Sequence, residues 1–185
     1  MTAMPIPVIP PDLGNENNIL KGIYARMSKG DGVVASASFT PAAAAYGAGD
    51  IISVAKEFAF TDYLGEAIPA GSLIRIISTI MKIGVTSVPD GQTSYNGRCY
   101  AATPGGTPQA DNDLWALAAG DLSSYRGKLA LGTPVDEGGA LYVKSPYIDT
   151  DIKLITSSLW MQLVTDAAFT ATAVDREVLL YGVRL

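Results

Sequence analysis

The chain has 185 residues, a formal net charge of −5 and no histidine. Its length suits one domain, or one domain with an arm, because single cores hold about 100–200 residues. Hydrophobic residues make up 48% of the chain, which excludes disorder throughout, and the negative charge disfavours direct binding to nucleic acid or to an anionic membrane. Without histidine the commonest general base and zinc ligand are missing, so we expect no enzyme, no metal and no cofactor.

An extended N-terminal arm is predicted for residues 1–31, followed by a β-sandwich domain over residues 32–185. Four prolines stand within the first eleven positions, and proline fixes φ and removes an amide donor, which prevents a helix or a central strand. The alternative is a frayed terminus. Aliphatic side chains are nevertheless spaced along the arm as if to lie on a partner, at Ile6, Val8, Ile9 and Leu13.

The body consists of short apolar runs separated by Gly, Pro, Asp and Asn, a pattern typical of an all-β fold. About eight to ten such runs predict a two-sheet β-sandwich of jelly-roll type. One short helix is predicted at Asp111–Leu117, because Asp or Asn can cap its start. The predicted strands are Val33–Thr40, Ile51–Val54 with a possible extension at Glu57–Phe60, Ser72–Ile83, Arg98–Thr103, Tyr125–Leu131, Ala140–Lys144, Asp151–Ser157, Leu159–Thr165 and Val178–Leu185.

The strand Ser72–Ile83 is apolar on both of its alternating faces, and Val178–Leu185 repeats this pattern. A two-layer sandwich buries only one face of a strand. We therefore predict that a neighbouring copy covers the second face in a homo-oligomer, with a trimer favoured. A long loop or the arm of the same chain is the alternative. The residues assigned to the oligomer interface are Ile74, Ile76, Ile80 and Trp160.

Three features could carry chemistry, and each has a plainer explanation. Asp111-Asn112-Asp113 supplies oxygen ligands for Ca²⁺ but lacks the later Glu of a calcium loop, so a helix cap is favoured. Asp149 and Asp151 would share a strand face like the paired carboxylates of a glycoside hydrolase, or be a turn acid and an edge acid. Cys99, without histidine or a second thiol, is expected to be a small buried hydrophobe.

Several short motifs resemble a group of small tailed-bacteriophage virion proteins encoded beside capsid genes. In that group an "aY…gDvi" segment opens the body, and an Asp-Asn motif precedes an apolar residue and a "Y.G.i" strand. An "l…lv…a.ft" strand pair closes the chain. The corresponding segments here are Ala45–Ile51, Asp111–Leu114, Tyr125–Leu129 and Leu159–Thr170.

The resemblance implies a jelly-roll-like decoration or cement protein on the outer surface of the phage head, bound to the major capsid protein. It implies no catalytic residues, and the proline-rich arm has no counterpart in it. Two alternatives stay open. A tail-fibre or receptor-binding module that recognises a host glycan would use the same fold class. A glycoside hydrolase could use carboxylates alone, at Asp149 and Asp151.

Overall fold

Twelve β-strands build the described part of the chain, and every pairing between them is antiparallel. The computed structural model describes residues 31–85, 88, 91–92, 94–105 and 110–185, with the exception of the side chains of Pro146 and Tyr147. The strands are β1 Gly32–Phe39, β2 Ala45–Tyr46, β3 Ile51–Ala59, β4 Thr61–Asp62, β5 Leu73–Ile83, β6 Tyr95–Tyr100, β7 Tyr125–Gly132, β8 Val135–Asp136, β9 Leu141–Lys153, β10 Ser158–Thr165, β11 Phe169–Thr170 and β12 Arg176–Arg184.

The strands form a larger sheet in the order β4-β1-β12-β5-β9-β8 and a smaller sheet in the order β3-β10-β6-β7. Strands β2 and β11 make a separate two-stranded pair. Among the eight long strands, the first pairs with the last, the second with the seventh, the third with the sixth and the fourth with the fifth. This nested pairing is that of a jelly roll, in which a folded-over chain is wrapped into two sheets. The predicted all-β sandwich is confirmed.

Most predicted strands are present, and the main differences are joins. The run Ala140–Lys144 and the first three residues of Asp151–Ser157 belong to one long strand, β9, whereas the rest of Asp151–Ser157 lies in the turn before β10. The predicted extension at Glu57–Phe60 is continuous with Ile51–Val54 in β3. Residues 32–185 form one compact unit. The predicted arm, with Ile6, Val8, Ile9 and Leu13, lies outside the described residues and stays a prediction.

The helix predicted at Asp111–Leu117 is wrong. This segment begins with a turn at Asp111-Asn112 and then pairs through its backbone with the start of β3. The Ile51 amide donates to the Asp113 carbonyl, and the Asn112 amide donates to the Ile51 carbonyl. Asn112 has a φ of +68°, which a helix does not allow. Among the described residues, the helical element is a three-residue 3₁₀ turn at Ala119–Asp121.

A β-bulge explains why β5 is apolar in both alternations. Ile77 drops out of the register with β12 and with β9, so the side chains after it exchange faces. Ile74 and Ile76 before the bulge, and Met81 and Ile83 after it, consequently all point into the core, each with no exposed surface. The assignment of Ile74 and Ile76 to an oligomer interface is therefore corrected, since their own chain buries them completely.

The core lies between the two sheets and draws apolar side chains from both. Leu159, Met161 and Leu163 point into it from β10, where they alternate with Trp160. Cys99 lies on the inner face of β6 with no exposed surface, which confirms its interpretation as a buried hydrophobe. Burial raises the pKa of the Cys99 thiol to about 12, so the group is held in its unreactive protonated form.

Candidate interaction surface

The outer surface of the larger sheet carries a stripe of aliphatic and aromatic side chains. Leu179, Tyr181 and Val183 alternate outward along β12, while Leu180 and Gly182 between them are buried. Val34 on β1 lies directly opposite Tyr181, and Ile80 on β5 lies directly opposite Leu179. Ile77, displaced by the bulge, is 43% exposed. We call this group the aliphatic face: Val34, Ile77, Ile80, Leu179, Tyr181 and Val183.

Charged side chains bound the aliphatic face at both ends and largely neutralise one another. At one end the Lys82 ammonium lies 2.6 Å from a carboxylate oxygen of Glu177. At the other end Arg75 contacts Asp151 at 2.6 Å and Asp149 at 3.1 Å. Between these ends the stripe is apolar, but the exposed Lys144 on β9 lies directly opposite Ile80, so association here also has to accommodate one ammonium group at its border.

The paired carboxylates do not have the properties of a hydrolytic acid and base. Asp149 and Asp151 both contact Arg75, and the Nε and Nη2 groups of Arg75 donate to the two oxygens of Asp151. These hydrogen bonds hold the pKa of Asp151 below its usual range. A general acid needs the opposite shift, a carboxyl whose pKa is raised by an apolar environment. The geometry is that of an exposed ion-pair cluster at the rim of the aliphatic face.

Aromatic side chains gather on the outer surface of the smaller sheet, although they are dispersed in the sequence. The Trp115 indole nitrogen donates to the Tyr100 hydroxyl at 3.0 Å and to Gln162 Oε1 at 3.2 Å. The Arg98 guanidinium lies 4.1 Å from the centre of the Trp115 ring. Burial raises the pKa of Tyr100. Trp115 therefore covers a polar group within its own chain and is not an open stacking platform.

Ile80 and Trp160 do not belong to one surface. Ile80 lies on the outer face of the larger sheet, whereas Trp160 lies on the outer face of the smaller sheet, opposite Tyr100 and Glu57 in the neighbouring strands. Both side chains are partly exposed, so both remain available for contact. A single flat interface through Ile80 would leave Trp160 on the far side of the sandwich.

The Asp-Asn-Asp segment holds loops together. The Asp111 carboxylate accepts hydrogen bonds from the Ala42 amide at 2.8 Å, the Ser53 amide at 2.6 Å and the Tyr46 hydroxyl at 2.8 Å. Burial and the contact with Asp111 raise the pKa of Tyr46. Asp111 thus satisfies backbone donors of other segments, as an N-cap residue would satisfy donors of its own helix. The three donors occupy the carboxylate that a bound calcium ion would need.

The described residues contain no group of three or more His, Cys, Asp or Glu side chains placed to hold a metal ion. No helix in the described part of the chain is both long and apolar enough to cross a membrane. One open cleft of about 410 Å³ lies between β7 and β9, and another of about 360 Å³ lies beside Lys82, Val174 and Glu177. In the first cleft the Ser145 hydroxyl donates to the Leu131 carbonyl, and in the second Lys82 is paired with Glu177.

Comparison with known proteins finds matches among solved structures. No protein-family model matches the chain, and no curated protein matches it. Among solved structures, a chain of the structure described as "KBV activated particle at acidic pH" is similar over 99% of this chain and 80% of its own length, with 10% sequence identity and a TM-score of 0.29. We therefore infer the function from the outer surface of the sandwich.

Proposed function

We propose that this protein is a structural virion protein that decorates and stabilises a bacteriophage capsid by binding the lattice of the major capsid protein. The observation that carries the proposal is the aliphatic face: a contiguous apolar stripe on a jelly-roll body, with paired charges at its two ends, Arg75 with Asp151 and Lys82 with Glu177. Contiguous apolar patches on soluble proteins are typical of interaction sites. The identity of the particle, a phage capsid, is inferred from the sequence motifs that resemble those of small phage virion proteins.

Two parts of the chain have different roles, one in oligomer formation and the other in capsid binding. The aliphatic face, including Ile80, joins copies of the body into a homo-oligomer, for which a trimer is favoured. The arm, with Ile6, Val8, Ile9 and Leu13, binds the capsid lattice. Each buried apolar Å² contributes roughly 25 cal/mol, and an oligomer presents several arms at once, so even weak arm contacts gain avidity through effective concentration. Reinforcement of a shell needs contact area and no reaction chemistry.

The direct test adds purified protein to heads that lack it. We expect high-copy, saturable binding and an increased resistance of the heads to heat and to low ionic strength. Deletion of residues 1–31 should abolish head binding while leaving the body oligomeric in size-exclusion chromatography with light scattering. Heads that neither bind the full-length protein nor gain resistance would refute the capsid role.

A charge on the aliphatic face tests the oligomer separately. Ile80→Lys should shift the protein to monomers and weaken head binding at least tenfold, because avidity is lost. Ala130→Lys is the matched control, since Ala130 is exposed on the other sheet. Its oligomeric state should equal that of the unchanged protein. A wild-type monomer, or identical behaviour of the two variants, contradicts the assignment of this face.

Trp160 favours a second candidate, a tail-fibre module that recognises a host glycan. It is partly exposed on the sheet opposite the aliphatic face and lies beside Glu57, so it could stack on a sugar ring with a hydrogen-bond acceptor nearby. This candidate predicts few copies per virion and binding to host cells that Trp160→Ala abolishes. The capsid proposal predicts high copy number and no effect of Trp160→Ala on head binding.

A further inference from the structure

One end of the sandwich carries exposed aliphatic side chains from different parts of the chain. The strand register brings together here the first residues of β1, β5, β7 and β10 and the last residues of β3, β6, β9 and β12. Four side chains at this end are more than half exposed: Leu64 at 54%, Leu122 at 62%, Ile155 at 57% and Leu185 at 56%. We call this group the loop end.

The residues of the loop end lie in separate connections. Leu64 is in the turn after β4, Leu122 is in the turn before β7, and Ile155 is in the turn between β9 and β10, while Leu185 follows β12. Turns are usually built from Gly, Pro, Asn, Asp and Ser. Large aliphatic side chains that are exposed on several turns at the same end of a domain are therefore typical of a surface that contacts a partner.

Hydrogen bonds hold these turns in place. Asp62 Oδ1 accepts from the Leu64 amide at 2.8 Å and so fixes the turn after β4. The Arg126 guanidinium joins two other connections, since its Nη1 donates to the Ser123 carbonyl at 2.9 Å and its Nε donates to the Lys153 carbonyl at 3.2 Å. The turns are thus already ordered, and less conformational entropy is lost when a partner covers them.

The chain that precedes β1 is attached at the loop end. Residues 1–31 lead into Gly32, which lies opposite Val183 close to the last residue of β12. β12 has nine residues, so the other end of the sheet lies about 30 Å farther from this attachment, at roughly 3.3 Å per residue. In the proposed function residues 1–31 bind the capsid lattice. Their attachment therefore places the loop end, rather than the opposite end, nearer to the lattice.

We propose that the loop end is the surface with which the body contacts an apolar area of the major capsid protein lattice. This inference rests on the proposed function and adds a second capsid contact to that of the arm. The aliphatic face lies on the side of the body and is left for contacts between copies. Copies joined side by side about an axis along the strands present all their loop ends toward the shell.

A charge at the loop end tests this contact in the full-length protein. Ile155→Lys should weaken binding to heads by about tenfold or more, because an ammonium group must then be buried against the shell. Its oligomeric state should equal that of the wild type. Leu122→Lys should behave in the same way, and it decides the question if Ile155→Lys does not fold.

Leu114→Lys is the matched control. Leu114 is 64% exposed, and it forms a bridge with Asp50 beside the start of β3, at the opposite end of the sandwich. This variant should bind heads like the wild type. An equal loss of binding in Leu114→Lys and Ile155→Lys would overturn the inference, because the effect would not belong to one end of the body.

The same measurements separate this inference from the proposed function. Wild-type protein that does not bind heads would refute the capsid role and the loop-end contact together. Wild-type protein that binds, with unchanged affinity in both Ile155→Lys and Leu122→Lys, would overturn the loop-end contact alone. A change of oligomeric state in Ile155→Lys would also overturn it, because a second copy would then occupy this surface.

Carbene labelling read by mass spectrometry tests the contact without a substitution. Peptides that contain Leu64, Leu122 or Ile155 should lose label when the wild-type protein is bound to heads, whereas the peptide that contains Leu114 should keep it. Unchanged labelling of the loop-end peptides on heads would show that this end faces away from the shell and would overturn the inference.

Labelling of the free protein tests whether its own N-terminal residues cover the loop end. A full-length Ile6→Asp, Ile9→Asp double variant should label at the loop-end peptides as the wild type does. Increased labelling of these peptides in the double variant would mean that the arm occupies the surface and would overturn the capsid contact proposed for it.

Discussion

At the scale of single residues, Cys99 shows how burial controls chemistry. An unfolded cysteine has a pKa of about 8.5, whereas burial raises the pKa of Cys99 in the folded protein to about 12. Above about pH 9 the unfolded chain gives up this proton while the folded chain keeps it. Folding stability must then fall as the pH rises, by up to about 1.4 kcal/mol per pH unit for this one group. Below about pH 8 the group has no effect on the slope.

We therefore expect Cys99→Ala to unfold at lower urea concentration at pH 7 but to lose stability less steeply between pH 9 and pH 10.5. The raised pKa values of Tyr46, Tyr95 and Tyr100 act in both proteins and cancel in the comparison. Urea unfolding at each pH measures the two slopes. Parallel slopes, or rapid labelling of the native thiol at pH 8, would show that Cys99 is not enclosed.

Asp111 marks the limit of local sequence reasoning at this scale. An acid before an apolar run is typical of a helix start, and nothing within the segment reveals that its acceptors will be used by Ala42 and Ser53, which are 69 and 58 residues away in the chain. Arg176 is similar, since a charged residue at a strand start predicts a solvated side chain, whereas this side chain is completely buried. In both cases tertiary contacts decide the role.

At the scale of elements, the bulge in β5 makes adjacent isoleucines unequal. Ile76 is completely buried, whereas Ile77 is 43% exposed on the aliphatic face. Ile76→Ala should cost about 2–5 kcal/mol of unfolding free energy through lost burial and a cavity. Ile77→Ala should change it by less than about 0.5 kcal/mol. Equal urea midpoints for the two variants would mean that the register shift is wrong.

The bulge also explains which part of the element-level prediction failed. Strand positions follow from short apolar runs and turn residues, and these placed β1, β5 and β10 correctly. The prediction Arg98–Thr103 was shifted by three residues from β6, Tyr95–Tyr100, and β9 was divided in two. A strict period of two, however, assigned Ile74 and Ile76 to the face opposite Met81 and Ile83. One residue out of register reverses every later side chain, and a run rich in isoleucine gives no signal of where that reversal occurs.

At the scale of the whole molecule, the nested pairing makes the fold depend on contacts between distant parts of the chain. β12 lies between β1 and β5 in the larger sheet, so without it each of these strands loses one of its two partners and the sheet is divided. We expect refolding on the millisecond-to-second timescale, as for other all-β topologies. The fluorescence of Trp115 and Trp160 measures the refolding rate. A chain that ends at Asp175 should stay unfolded. Cooperative urea unfolding of that truncated chain would contradict this dependence.

The sandwich class was predictable from composition and turn spacing, but its strand order was not. Alternation places side chains on faces and does not say which strand lies next to which. The pairing of β1 with β12 places Gly32 opposite Val183 and Phe39 opposite Arg176. No local pattern encodes a relation between segments so far apart in the chain. The sequence predicted a second apolar surface, but not its residues. Ile80 lies on this surface, whereas Ile74 and Ile76 are buried in the core because of the bulge.

The position of β12 also has a consequence for synthesis. On a ribosome β1 and β5 emerge long before the strand that joins them, and each then presents a row of unsatisfied amides and carbonyls to whatever is nearby. Nascent chains at high concentration would therefore be vulnerable to strand exchange with one another until β12 is released. Chaperone demand during overexpression should track the interval between translation of Ile83 and of Arg184.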